Sequence, residues 1–282
     1  MARKGGKWIR TKRDMENPLD LAVQARDVHV LDMVAHAVRH RQVMLAYQAV
    51  VQSQDTAKVA FYEGLIRIMD ETGRIIPAKD FIEEVETTEL GRVIDCLSLE
   101  LGLRALALNP GLRLSINMSA RSIGYARWMQ VLKRGLANNP TVAERLILEI
   151  TESSAMLVPE LVTSFMGDLQ RKGITFAMDD FGSGFTSFRF LRDFFFDIVK
   201  IDGQFVRGIA TNADNQVLTK ALVAISQQFD MFTVAESVEN IQDAQWLQSI
   251  GVDCQQGYLF GAPTIQKPWQ TAEDDAASLR AG

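Results

Sequence analysis

The chain has 282 residues, of which 47% are hydrophobic and 23% are charged. A chain of this length and hydrophobic content buries a full core, which excludes a disordered or fibrous protein and suffices for one α/β barrel of about 250 residues. Thirty basic and 35 acidic residues give a formal net charge of -5 at pH 7, which argues against general nucleic-acid binding by bulk charge.

Cysteine content and hydropathy indicate the compartment. Cys96 and Cys254 are the only cysteines; they are too few for a disulfide scaffold and lack the CxxC spacing of a thiolate metal site, so we expect a reducing compartment. No apolar run approaches the about 18 residues of a membrane span, and no hydrophobic signal core follows the basic amino terminus. The sequence therefore predicts a cytoplasmic protein without a transmembrane segment.

The amino terminus is rich in basic residues, with six of them among residues 1–13. We predict a flexible basic tail over residues 1–19, and its composition leaves open whether it is simply solvated or contacts a membrane surface or an acidic partner. A barrel domain is predicted over residues 20–264, followed by a carboxyl-terminal tail over residues 265–282.

Hydrophobic periodicity predicts alternating helices and strands along the domain. The predicted helices cover residues 20–41, 77–88, 90–108, 126–137, 159–171, 214–229 and 241–250. The predicted strands cover residues 45–51, 60–69, 113–118, 145–151, 174–178, 197–201, 232–236 and 253–256. Strands that alternate with amphipathic helices imply parallel pairing through right-handed crossovers, and eight such strands suggest a closed (β/α)8 barrel of the TIM type.

Two adjacent carboxylates, Asp179 and Asp180, stand where a predicted buried strand runs into a glycine-rich loop. A buried carboxylate pair needs a counter-charge, and a metal ion is the usual one. For this stretch alone the alternative stays open that the pair only makes a turn or caps a helix.

Polar residues fall in or at the end of most predicted strands, and all except Glu63 lie toward the carboxyl end. These ends meet at one face of a barrel, where active sites are built. Glu63 shares a strand face with Arg67, and a mutual salt bridge is the structural alternative to a functional role for that pair. The set is Glu63, Asn117, Glu149, Asp179, Lys200, Glu236 and Gln256.

Six residues offer oxygen ligands only, which suit Mg²⁺, Mn²⁺ or Ca²⁺ and not zinc: they are Glu63, Asn117, Glu149, Asp179, Asp180 and Glu236. There are more carboxylates than one ion needs, so a pair of ions about 3.5 to 4 Å apart and bridged by Asp179 would use them, activating water and stabilising a leaving oxygen in phosphoryl transfer. Lys200 would orient the attacking water or offset charge on a pentacovalent phosphorane. The spacing predicts metal-dependent attack on a phosphate.

The chain resembles the EAL-type phosphodiesterase domains, which hydrolyse cyclic di-GMP to linear pGpG and fold as a modified (β/α)8 barrel. The likeness runs from about Val34 to Pro263 and keeps the family's order of motifs. Those motifs are Tyr47-Gln48, Glu63-Gly64-Leu65 with Arg67, Asn117-Met118-Ser119, Glu149-Ile150-Thr151-Glu152, Asp179-Asp180-Phe181-Gly182, Lys200-Ile201-Asp202, Ala235-Glu236-Ser237-Val238-Glu239 and Gln256-Gly257-Tyr258.

The resemblance implies a role for each matching residue. The first Mg²⁺ or Mn²⁺ ion would be held by Glu63, Asn117, Glu149 and Asp179, and the second by Asp179, Asp180 and Glu236. Lys200 would orient or activate the nucleophilic water and Gln256 would assist it, so that Lys200, Glu63, Glu236, Gln256 and Glu152 form the predicted catalytic set. Arg67 and Gln48 would bind substrate, and Glu152 would brace the loop from Phe181 to Ser187.

The resemblance also implies inhibition by Ca²⁺, whose looser coordination misplaces the water, and homodimerisation. No GGDEF-like motif is present, so cyclase activity is not expected, and no sensor domain is evident. We therefore expect regulation through a protein partner, dimerisation or the basic amino-terminal segment.

Two departures from the family pattern lie beside predicted ligands: Gly64 stands where the family has alanine, and Ser237 where it has glycine. We expect Gly64 to loosen its strand by about 1 kcal/mol and Ser237 to shift Glu236 slightly. The alternatives to a phosphodiesterase are a cyclic di-GMP receptor or protein-interaction module with little turnover, and an enolate-forming Mg²⁺ enzyme on the same barrel.

Overall fold

The computed structural model describes residues 2–4, 7–9, 18–137, 139–183 and 194–270. Strands and helices are numbered here in chain order. The strands are β1 (Ala2–Lys4), β2 (Lys7–Ile9), β3 (Val43–Gln52), β4 (Asp55–Met69), β5 (Ile75–Pro77), β6 (Leu114–Asn117), β7 (Leu146–Thr151), β8 (Thr175–Phe181), β9 (Ile198–Ile201), β10 (Phe232–Ala235) and β11 (Cys254–Gln256). The helices are α1 (Pro18–Arg39), α2 (Ile82–Val85), α3 (Glu89–Leu108), α4 (Ala126–Ala137), α5 (Glu152–Ala155), α6 (Pro159–Gln170), α7 (Gly203–Val206), α8 (Ala213–Gln228) and α9 (Ile241–Ser249).

Eight strands form a closed barrel, which confirms the predicted fold class. Their order around the ring is β3-β11-β10-β9-β8-β7-β6-β4, and a β3–β4 pairing closes it. Strands β4 and β6 to β11 run parallel, whereas β3 runs antiparallel to both of its neighbours. Only Ser53 and Gln54 separate β3 from β4; a parallel crossover needs a dozen or more residues, so these two strands can only form a hairpin.

The helix predicted over residues 77–88 is wrong. That segment holds the end of β5, a 3₁₀ turn at Ala78–Asp80 and the single-turn helix α2. Phe81 and Val85 are fully buried and four residues apart, which produces a helical pattern. Phe81 itself has a φ of -146°, so the backbone leaves the helical conformation between the two turns.

The interior of the barrel explains how the fold positions polar side chains. A cluster of inward-facing apolar residues fills the barrel, and its members are Val50, Phe61, Ile147, Ala177, Ile198 and Val234. Side chains two positions apart share one face of a strand. The next inward positions toward the opposite end of the barrel are therefore Gln48, Glu63, Glu149, Asp179, Lys200 and Glu236.

A larger apolar core lies between the strands and the surrounding helices and includes Trp128, Phe176 and Leu132. At the carboxyl-terminal end of the described chain, Trp269 makes edge contacts with Tyr47 and Tyr62 on the outside of the barrel. None of the helices in these residues combines the length and the hydropathy that crossing a membrane requires.

Candidate active site

Lys200 is the centre of the site and is 1% exposed. Its Nζ lies 2.8 Å from Glu149 Oε2, 2.8 Å from Glu236 Oε1, 3.1 Å from Asp179 Oδ1 and 3.4 Å from Glu63 Oε2. Burial acts to lower the pKa of Lys200, but the surrounding carboxylates outweigh it and hold the pKa well above its usual value. Lys200 is therefore a fixed positive charge shared by four acids.

Glu63 is held ionised by its neighbours. Asn117 Nδ2 donates to its Oε1 at 2.8 Å and Gln256 Nε2 donates to its Oε2 at 2.6 Å. Burial acts to raise the pKa of Glu63, but Lys200 and the two amides lower it overall. Within the described residues Glu63 makes no ion pair with Arg67, whose Nη1 donates instead to the Ile66 carbonyl.

The remaining acids would carry more negative charge, if all were ionised, than the single positive charge of Lys200 neutralises. Burial and Glu63 raise the pKa of Glu149 well above its usual value, and burial raises the pKa of Glu236 to about 8. Burial and the neighbouring Asp179 raise the pKa of Asp180 to about 6. Without a further cation, protons must occupy part of this site near neutral pH.

The geometry and the donor set fit divalent cations. Carboxylate oxygens of Asp179, Asp180 and Glu236 lie within 4.8 Å of one another. Glu149 Oε1 is buried and has no hydrogen-bond partner among the described residues, which leaves a lone pair for a ligand. Because the Asn117 amide nitrogen is used on Glu63, its carbonyl oxygen is left for a cation, and an all-oxygen set of this kind suits Mg²⁺ or Mn²⁺.

The end of β8 separates the two aspartates. Asp180 has a φ of +56°, a left-handed conformation that a non-glycine residue rarely adopts, so its side chain leaves the direction of the strand. Its backbone N–H donates to Asp179 Oδ1 at 3.1 Å. The next turn is held by buried Glu152, whose Oε2 accepts from Gly182 N at 3.0 Å. The predicted loop from Phe181 to Ser187 lies outside the described residues from residue 184 onward.

The loops after β10 and β11 are in direct backbone contact. Val238 N donates to the Gln256 carbonyl at 3.0 Å, and Leu259 N donates to the Val238 carbonyl at 3.1 Å. A Cβ at Gly257 would collide with the Val238 backbone, so only glycine permits this approach. The loop that carries Glu236 therefore meets the end of β11 and the loop that follows it without any intervening side chain.

A cavity of about 700 Å³ lies above this cluster. Glu63, Glu236 and Gln256 form part of its wall, and the predicted substrate residues Gln48 and Arg67 line it too. Gln48 is oriented by two hydrogen bonds, donating to the Gly261 carbonyl at 3.0 Å and accepting from Gln256 at 3.1 Å.

Comparison with known proteins identifies the family. A model of the EAL domain matches residues 31–263. The chain belongs to the EAL domain family. It is 32% identical over 234 residues to the cyclic di-GMP phosphodiesterase PdeB of Shewanella oneidensis, covering 82% of this chain and 27% of that protein. It is 30% identical over 240 residues to the cyclic di-GMP phosphodiesterase PdeF of Escherichia coli, covering 84% of this chain and 32% of that protein.

The chain thus spans about a third or less of the length of these two relatives. Among solved structures, an EAL domain protein from Listeria monocytogenes has a TM-score of 0.75 and 25% identity, covering 87% of this chain and 97% of that one. The PaMucR phosphodiesterase, solved as a c-di-GMP complex, has a TM-score of 0.74 and 25% identity, covering 86% and 99%.

Several residues of this EAL domain site are not evident from the motifs. Lys79 and Arg207 line the cavity, and no local pattern predicts that they do. Asp95 is not one of the residues that line the cavity, but it holds the turn after β6, and an acid on the apolar face of α3 is a signal that sequence analysis could have used. Its buried Oδ2 accepts from Ser119 N at 3.1 Å and from the Ser122 hydroxyl, and burial raises the pKa of Asp95 to about 7.

Proposed function

We propose that this EAL domain hydrolyses one phosphodiester bond of cyclic di-GMP to give linear pGpG in the presence of Mg²⁺ or Mn²⁺. The observation that carries the proposal is the buried Lys200 among four carboxylates. Two of these acids, Glu63 and Glu236, line a cavity that Arg67 also lines. The family membership and the named activities of the two relatives support the same reaction.

The proposed metal ligands divide into two overlapping sets. Bound cations would polarise the phosphodiester and lower the pKa of water. The first set is Glu63, Asn117, Glu149 and Asp179, and the second is Asp179, Asp180 and Glu236. The acid cluster at Asp179, Asp180 and Glu236 supports the second set most directly.

The protein's own groups have distinct tasks in this proposal. Lys200 stays protonated because its pKa is raised, so its Nζ orients water and offsets negative charge on the phosphate as a hydrogen-bond donor and not as a base. Arg67 holds a phosphate through its guanidinium. Gln256 keeps Glu63 in place and ionised, and Glu152 fixes the turn after the aspartate pair through Gly182.

The direct test is chromatography of purified protein incubated with cyclic di-GMP and Mg²⁺, Mn²⁺ or Ca²⁺. We expect linear pGpG with Mg²⁺ or Mn²⁺ and suppression by Ca²⁺. Glu63→Gln and Lys200→Ala should nearly abolish turnover, whereas Glu83→Gln, a change at an exposed residue of α2, should not affect it. Near wild-type rates in both site variants would contradict the proposal, and binding without product would favour a cyclic di-GMP receptor.

Assembly is a separate part of the proposal. The family resemblance predicts a homodimer and regulation through a protein partner. Sedimentation velocity of the purified chain, with and without cyclic di-GMP, tests the first of these directly.

A further inference from the structure

Arg207 lines the proposed substrate cavity from the side opposite Arg67. It follows α7, which itself follows β9, and both arginines contribute to the same cavity wall. In the ring of eight strands, β9 is four positions from β4 in either direction. The two guanidinium groups therefore reach the cavity from opposite sides of the barrel.

The side chain of Arg207 is held by Ser237. Its Nη2 donates to Ser237 Oγ at 2.9 Å, and its Nε lies 3.7 Å from Glu239 Oε1. The Ser237 side chain is confined in turn, because a Cβ on Gly203 would collide with its Oγ. Although the Arg207 side chain is 59% exposed, one end of its guanidinium is therefore fixed.

Ser237 occupies a backbone position that suits glycine. Its φ is +56°, and the left-handed conformation is unfavourable for any residue with a Cβ. The departure from the family glycine thus strains the backbone directly after Glu236. What the serine adds in return is a hydroxyl that accepts a hydrogen bond from Arg207.

We propose that Arg207, held by Ser237, is a further substrate-binding residue, which donates to an oxygen-rich acceptor of the cyclic dinucleotide. A guanidinium has five N–H donors in a rigid plane, and the hydrogen bond to Ser237 uses one of them. The free donors match either a phosphodiester oxygen or the O6/N7 edge of guanine. This inference rests on the proposed function of the same site.

Steady-state kinetics with Mn²⁺ test the role of Arg207. Arg207→Gln should raise KM for cyclic di-GMP about tenfold or more and leave kcat within about twofold, because a charge-assisted hydrogen bond to the ligand is lost. Arg207→Lys should recover part of the loss. Arg171→Gln, at an exposed arginine paired with Asp168 on the outside of the barrel, is the matched control and should leave KM unchanged.

Two substitutions at Ser237 separate its hydroxyl from its backbone strain. Ser237→Ala keeps the strain and Ser237→Gly relieves it, but both remove the acceptor for Arg207. Both should raise KM by a similar factor of about three. Thermal unfolding should nevertheless separate them, with Ser237→Gly more stable than Ser237→Ala. Two results would overturn the role of Ser237. One is a KM that changes in step with the stability of the two Ser237 variants. The other is a double variant, Arg207→Gln with Ser237→Ala, whose KM rises by the product of the two single-variant factors.

Competition with cyclic di-AMP distinguishes the two acceptors. If Arg207→Gln weakens inhibition by cyclic di-AMP as much as it weakens binding of cyclic di-GMP, the acceptor is the phosphodiester; if only cyclic di-GMP is affected, it is the guanine edge. An unchanged KM, or a fall in kcat alone, would overturn the inference. If the wild-type protein shows no hydrolysis, the proposed function fails but the role of Arg207 can still be tested. Calorimetry of cyclic di-GMP binding in Ca²⁺ should then show a Kd that Arg207→Gln raises about tenfold or more.

Discussion

Replacing Lys200 with methionine removes the only buried positive charge that the described residues place among Glu63, Glu149, Asp179 and Glu236, and it keeps an unbranched side chain that is one atom shorter. Each contact of about 3 Å is an attraction of about 5 kcal/mol at an effective dielectric constant of 20, and Lys200 makes four of them. The net loss is much smaller than this sum, because burying the lysine is itself unfavourable and because protons already occupy part of the site near neutral pH. The cluster also binds further protons when the lysine is absent.

We expect Lys200→Met to lower the free energy of unfolding by about 3–5 kcal/mol at pH 7 in EDTA, the usual consequence of breaking a buried ion pair. Urea denaturation followed by tryptophan fluorescence measures this, with Lys133→Met at an exposed position of α4 as the control. The deficit should shrink at pH 5, because the buried carboxylates that have lost Lys200 bind protons more readily and protonation removes their mutual repulsion. Mn²⁺ should stabilise the variant more than the wild type, because the cation supplies the missing charge.

An unfolding free energy equal to that of the wild type in EDTA would refute this reasoning, since the four carboxylates would then need no counter-charge from Lys200. If the variant does not fold in EDTA at pH 7, the comparison at pH 5 remains decisive. A deficit of the same size at both pH values would show that the loss comes from packing and not from charge.

Three further predictions address other parts of the domain. Gly64→Ala should destabilise the protein by about 1–3 kcal/mol in urea denaturation, because its Cβ would meet Ile116 Cδ1 at 2.7 Å, and Ile116→Val in the same chain should recover most of that loss. The pKa of Asp95 is about 7 in the folded protein and about 4 in the unfolded chain, so the free energy of unfolding falls as the pH rises between these values. From pH 5.5 to 8 in EDTA, the wild type should lose about 2 kcal/mol more unfolding free energy than Asp95→Asn. Equal losses in the two proteins would contradict this. Mn²⁺ binding should release protons from Glu236 and Asp180 and strengthen between pH 6 and 8; calorimetry in Pipes and Tris should give different apparent enthalpies, and identical values would count against it.

The sequence predicts the barrel and its polar face because both depend on short-range patterns. Alternation places Glu149 two residues after Ile147 and Lys200 two residues after Ile198, so a correctly predicted strand brings its polar residue to the correct end. The strand bounds differ from prediction by a few residues without affecting this. The antiparallel direction of β3 was also accessible, since the connection of Ser53 and Gln54 is too short for a crossover.

Long-range contacts could not be predicted in the same way. No pattern indicates that Arg207 meets Ser237, because the two residues belong to different loops. Gly64 was expected to loosen its strand, but the structure shows that Ile116 fills the space a methyl group would take. The effect of a residue that departs from a family pattern depends on what has moved into its place, and this is visible only in three dimensions.

The contact between Gly257 and the Val238 backbone has a consequence for exchanging parts between relatives. Tyr258, 67% exposed at the cavity, is the next residue after Gly257, and Glu236 lies two residues before Val238. The mouth of the cavity and an acid beside Lys200 are thus joined through main-chain atoms. A chimera that receives the loop after β10 from another EAL domain must receive the loop after β11 with it, because the backbones of the two loops pack directly against each other.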